Sequence, residues 1–161
     1  MIALKYVLIL FMLSFSTGCT SEKNATLERS EPQSYLEQKG YYIVSNEGIV
    51  YSYELTKQKI IELPYMIYWG LQSADPSDYF GKTIQVQKFI VTNHPLSKEK
   101  VDVYVYVADH KPIGGTSHPH GDASDGGYWS IDGKTLEELQ DQPFQEWREH
   151  WVEKYTNTTQ N

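Results

Sequence analysis

Apolar side chains recur along this chain in two rhythms. The first is the two-residue period of strands. Valines 101, 103, 105 and 107 fall on one face of an extended segment, and Asp102, Tyr104 and Tyr106 fall on the other. Residues 84–91 alternate as well, but the phase slips between Val86 and Phe89, and a bulge near Gln87-Lys88 would restore it. Residues 41–44 and 49–53 are shorter β-rich runs, with Asn46-Glu47-Gly48 as the turn between them. Asp109-His110-Lys111 turns the chain so that residues 113–117 return antiparallel. Gly114-Gly115 there marks a bulge or a close backbone approach. Residues 128–131 form a last short strand, ending at Asp132-Gly133.

The second rhythm is helical. Residues 34–39 form a short helix stopped by Gly40. Thr56 caps a stretch through Leu63, and Pro64 suits the first turn of a second helix reaching Gln72. Ile61, Tyr65, Tyr68 and Trp69 share a face. Asp75-Pro76-Ser77-Asp78 is turn material, closed by Gly81. Thr135 and Glu138 make a capping box for a helix over 136–140. Pro143 opens a final helix whose Phe144, Trp147, Trp151 and Tyr155 form one apolar stripe. Such a stripe docks on its own sheet or, in a sharper reading, offers Trp147 and Trp151 to a partner groove or a membrane. These elements predict an α+β domain over residues 34–156: a mostly antiparallel sheet with short helices on one face and a C-terminal amphipathic helix. Residues 157–161 are read as a disordered tail.

Composition separates the ends of the chain from this domain. Of the first 18 residues 13 are apolar, with one lysine and no acid. The apolar run over 6–15 has the length of a signal-peptide core and is too short to span a bilayer. Residues 19–33 begin with the single cysteine and continue as a polar tether. The 143 residues from Cys19 onward carry 13 Lys and Arg against 21 Asp and Glu. That balance argues against a nucleic-acid partner, since phosphate binding needs clustered cations. One cysteine excludes an intrachain disulfide.

Ser16-Thr17-Gly18-Cys19 resembles the lipobox of bacterial lipoproteins, with Ser16 where that motif usually has Leu. The resemblance implies cleavage before Cys19 and attachment of a diacylglycerol to its thiol, with acyl chains such as palmitate. Two acyl chains hold a protein stably where one does not. The implied location is the extracytoplasmic face of the cell membrane, reached through the lipid anchor.

Candidate chemistry concentrates in one stretch. From His118 to Asp141 there are six acids and one lysine. His118 and His120, with Asp122 and Asp125, have the donor types for zinc or copper, so a divalent metal is the one candidate cofactor. The bland alternative is a solvated acidic loop. His94, His110 and His150 read as surface residues. The chain contains no Gly-x-Ser-x-Gly elbow and no phosphate loop, and it is read as a non-enzyme.

Several short pieces carry a further resemblance: Tyr35-Leu36-Glu37-Gln38-Lys39-Gly40-Tyr41, Leu63-Pro64, Leu71-Gln72, Tyr79-Phe80-Gly81-Lys82 and Ile113-Gly114-Gly115. Through them residues 34–133 resemble an uncharacterised domain family in secreted proteins and lipoproteins of Gram-positive, often spore-forming, bacteria. The family has no assigned activity, so the resemblance implies fold and location only. The expected role is a lipid-anchored binding or accessory domain of the cell envelope, with another envelope protein as partner. A small hydrolase acting on cell-wall material and a metal-binding lipoprotein using His118 and His120 are the alternatives.

Overall fold

Strand β3 (Val101–Ala108) buries both of its faces, and the domain is arranged around it. In the computed structural model, which describes residues 29–121 and 127–157, β3 is central in a five-stranded antiparallel sheet. The order β1-β2-β3-β4-β5 follows the chain, with β1 (Tyr42–Glu54), β2 (Thr83–Thr92), β4 (Lys111–Pro119) and β5 (Trp129–Ser130). The expected leader, Cys19 and most of the expected tether lie outside the described residues, as do Asp122, Asp125 and residues 158–161 of the expected tail.

The alternation of β3 divides the core in two. Its four valines join Phe89, Val91 and Ile131 beneath Leu36 of α1 (Glu31–Gln38). On the opposite, tyrosine-bearing face, Tyr106 and Ala108 pack with Ile84 and Val86. Ile60 of α2 (Lys57–Ile60), Trp69 of α3 (Tyr65–Gly70) and Tyr155 of α5 (Phe144–Asn157) cover them. Helix α4 (Leu136–Gln140) adds Leu136 to a third cluster with Met66, Leu71 and Trp147. The class is α+β, as expected. Most helices lie on the tyrosine face, and α1 alone takes the valine face.

This division explains the phase slip in β2. Ile84 and Val86 face the helices, whereas Phe89 and Val91 face α1. Pairing of β2 with β3 runs unbroken from Gln85↔Val107 to Val91↔Val101. The expected bulge at Gln87-Lys88 is therefore absent: the buried side of β2 changes because the cover changes.

The irregularity sits in β1. Residues 41–44 and 49–53 belong to a single strand, and Asn46-Glu47-Gly48 is not a turn. The β1–β2 register shifts three times, leaving Val44, Glu47 and Val50 as extra residues. At the middle bulge the Asn46 side chain accepts the Gly48 N–H at 3.0 Å, and Gly48 takes φ 77°. That local geometry carries a turn-like sequence within a strand.

The helix ends differ from the sequence reading by a few residues. Ser30 caps α1, so the helix starts at Glu31 inside the expected tether. Helix α2 is a single turn behind its Thr56 cap; Pro64 is the cap of α3, which ends at Gly70. Residues Pro76–Tyr79 wind into a 3-10 turn capped by Asp75. The Thr135–Glu138 capping box forms as read. Asp109 and His110 both adopt positive φ, as the two-residue turn of a β-hairpin requires.

Gly114 and Gly115 meet the close approach that the sequence suggested. Gln72, just beyond α3, accepts the Gly115 N–H at 2.6 Å and donates to the Gly115 carbonyl at 3.1 Å. Its amide thus pairs with β4 as a strand would. A Cβ at Gly114 would stand 2.1 Å from Gln72 Oε1, and one at Gly115 would stand 2.3 Å from the Tyr104 carbonyl.

Candidate functional site

The helices cover only part of the tyrosine face. Beyond α3 the face stays open, and it carries Tyr51 from β1, Lys88 from β2, and Asp102 and Tyr104 from β3. His118 of β4 and His120 just past it complete the set, with Tyr128 beside β5. Antiparallel pairing places His118 directly opposite Asp102, and His120 lies two residues further along the same side.

Asp102 is the centre of the cluster. Its side chain is only 5% exposed, although its neighbours reach solvent. Lys88 Nζ donates to Oδ2 at 3.0 Å, and His120 Nδ1 donates to Oδ1 at 2.6 Å. His118 Nε2 stands 4.0 Å from Oδ2. Burial opposes ionisation of Asp102, but the hydrogen bonds from His120 and Lys88 outweigh it and hold the carboxyl below its ordinary range. The same bond raises the Lys88 ammonium above its ordinary value. Lys88 also lies over the Tyr104 ring, 5.8 Å from the centroid.

The His118 ring is locked. The Pro119 carbonyl, 2.9 Å from Nδ1, can only accept, so Nδ1 carries the proton. In the neutral ring Nε2 then presents a lone pair, to which the Tyr104 hydroxyl donates at 3.3 Å. Tyr128 packs edge-on against both His118 and Tyr68. Tyr51 stacks on Tyr53, and burial pushes its hydroxyl up to about 12. Burial raises the Tyr104 hydroxyl as well, so both Tyr51 and Tyr104 are neutral hydrogen-bonding groups over the physiological range.

No family model, curated protein or solved structure matches the chain.

Of the four metal candidates, the structure describes His118 and His120 and directs both toward Asp102. Among the described residues, no group of three His, Cys, Asp or Glu side chains is placed as it stands to hold a metal ion. Asp102 was missed because its spacing in sequence fits the polar side of an alternating strand; only pairing with β4 puts it beside the histidines. Lys88 was missed for the same reason.

Of the tryptophan candidates, Trp147 is buried and Trp151 is half-buried. Trp147 is 2% exposed and packs against Gly70, where an added Cβ would come within 2.4 Å of its ring. Trp151 donates its indole N–H to the Ile60 carbonyl at 2.8 Å. The stripe of α5 docks on its own domain, where both indoles cover apolar area and the Trp151 N–H finds a carbonyl.

His94 also departs from its surface reading. It is buried, with Nε2–H on the Ile131 carbonyl at 2.9 Å and Nδ1 accepting from Leu96 N–H at 3.1 Å. Burial lowers its basicity, and the ring ties the 94–97 bridge to Ile131, just past β5. His110 and His150 remain exposed, as read.

Large apolar side chains reach solvent mainly on β1. Tyr42 (67% exposed), Val44, Ile49, Val50 and Tyr51 are five of the eight large hydrophobic residues exposed among the described residues. Val44 and Val50 are the residues pushed out at the bulges.

Proposed function

We propose that this chain is a lipid-anchored binding domain on the extracytoplasmic face of a bacterial cell membrane. Its partner is another envelope protein, which contacts strand β1 and the open half of the tyrosine face. The observation that carries this reading is the concentration of exposed apolar side chains on β1, an edge strand. Three bulges blunt the hydrogen-bonding edge of that strand, so side chains rather than an added strand make the contact. The net charge of −7 favours a partner surface that is basic around an apolar centre. Anchoring through Cys19 raises the local concentration of both proteins, so a contact of modest affinity suffices. The family resemblance and the lipobox support the same location.

The test uses native membranes. A photo-reactive side chain at Ile49 or Tyr51 should give one reproducible adduct that the same probe at Glu153 of α5 does not give. Cys19→Ala should leave the chain soluble or unprocessed and abolish the adduct. Equal membrane retention of the Ala variant, or identical adducts from β1 and α5, would sink the proposal.

A further inference from the structure

We infer that Asp102, His118 and His120 form a zinc-class metal site that Lys88 keeps closed until a metal ion displaces it. The inference does not depend on the proposed partner.

Three features of the cluster point to a metal. First, the donors converge from two paired strands: a His-x-His at the end of β4 faces a carboxylate on β3. Backbone pairing sets their approach, so little ordering remains for a metal to impose. Second, His118 is prepared as a ligand. A metal-binding imidazole usually donates its second N–H to a carbonyl or carboxylate, and His118 Nδ1 does so to Pro119. Its Nε2 lone pair points toward Tyr104 and Asp102. Third, the spacing is close to what an ion needs. Adjacent ligands of a tetrahedral zinc stand about 3.3 Å apart when each bond is about 2.0–2.1 Å. His120 Nδ1 lies 2.6 Å from Asp102 Oδ1 and His118 Nε2 lies 4.0 Å from Oδ2, so each pair must shift by about 0.7 Å to reach that distance once Lys88 has left. Neutral His120 becomes a ligand at Nδ1 by carrying its proton on Nε2 instead. Two imidazoles and one carboxylate are a donor set for zinc or copper rather than for calcium.

Lys88 is the reason the set is not already closed. Its ammonium holds Oδ2, and a dication beside it would be repelled. Lysine, however, is a single charge on a flexible stem, and this one is 23% exposed, so it can leave toward solvent without breaking the sheet. A structural salt bridge and a metal gate then predict opposite effects of removing Lys88. If the pair is only structural, Lys88→Met leaves an uncompensated buried carboxylate and no metal affinity. If Lys88 is a gate, the same change frees a ligand and strengthens binding.

The experiment is calorimetric titration of the full chain in detergent with Zn2+, with the visible absorption of Co2+ as a second readout. Tyrosine near-ultraviolet circular dichroism reports whether each variant keeps its fold. The expected result is one ion per chain. His118→Ala, His120→Ala and Asp102→Asn should each weaken binding at least about tenfold, in line with losses seen when metal shells are disturbed. Lys88→Met should tighten it about tenfold and leave the Co2+ spectrum unchanged. The inference is overturned if neither wild type nor folded Lys88→Met binds at millimolar metal. It is equally overturned if binding survives all three ligand substitutions, which would place the ion elsewhere.

Discussion

The two halves of the tyrosine face use the same strands and the same side-chain type, and they differ in what lies above them. In the covered half, Tyr53 and Tyr106 are buried, and each phenol has a defined partner. Tyr53 accepts from the Trp69 indole at 3.0 Å, and Tyr106 pairs with Thr116 at 3.4 Å. Among the described residues, no buried side-chain nitrogen or oxygen lacks a hydrogen bond. In the open half, Tyr51 and Tyr128 are exposed, and the buried polar group is a carboxylate compensated by two cationic or proton-donating side chains. Tyrosine serves both halves because its ring packs and its hydroxyl can face either a partner or water. The covered half therefore supplies stability, and the open half holds groups whose partners can be exchanged.

The comparison breaks most visibly at Trp147. Truncation to Ala would leave a cavity between α3, α4 and α5. Chemical denaturation should show a loss of about 3–5 kcal/mol, the range for large aromatic deletions in cores. A loss below about 1 kcal/mol would mean that α5 is not part of the core, against the ordinary cost of buried-residue changes. A smaller effect is expected where α3 is tied to the sheet. Gln72→Ala strands the Gly115 N–H within β4 and should cost about 1–3 kcal/mol. Hydrogen exchange should then rise at Gly115 first; unchanged protection would show that water or the backbone replaces the amide. The smallest stability effect belongs to the open half. Tyr51→Ser with Tyr128→Ser should cost about 1 kcal/mol or less per site, as for exposed positions. The same pair should eliminate the adduct formed by a probe at Ile49. Strong destabilisation with the adduct intact would reverse the roles assigned to the two halves.

Acidification probes a third place, the His94 contact with Ile131. His94 is held neutral by burial, with its folded-state basicity below the ordinary value of 6.5. The unfolded chain therefore binds a proton first as pH falls. The His94 contribution is present above pH 6.5 and is lost as the pH drops through the lower folded-state value.

Much of the fold could be read locally. The alternation in β3, the capping box at Thr135 and the stripe of α5 each depend on neighbours two to four residues away, and each formed as expected. Asn46-Glu47-Gly48 misled because a bulge and a turn use the same Asx and glycine geometry; only the unbroken partner strand β2 distinguishes them. The slip in β2 misled for a related reason. A change of buried face looks like an inserted residue until the covering helices are known.

The candidate site was half legible. His118 and His120 stood out by their spacing, but Asp102 and Lys88 looked like ordinary solvent-facing positions of strands. Trp147 and Trp151 looked available because a helical stripe does not state what covers it.

The sequence by itself determined most of the element types, the acidic balance and the single cysteine. These follow from short-range periodicity and from counting. The tertiary structure alone decided which half of the tyrosine face stays open and which carboxylate meets the histidines. Those outcomes depend on strand pairing and helix docking across many tens of residues, and no local pattern encodes them.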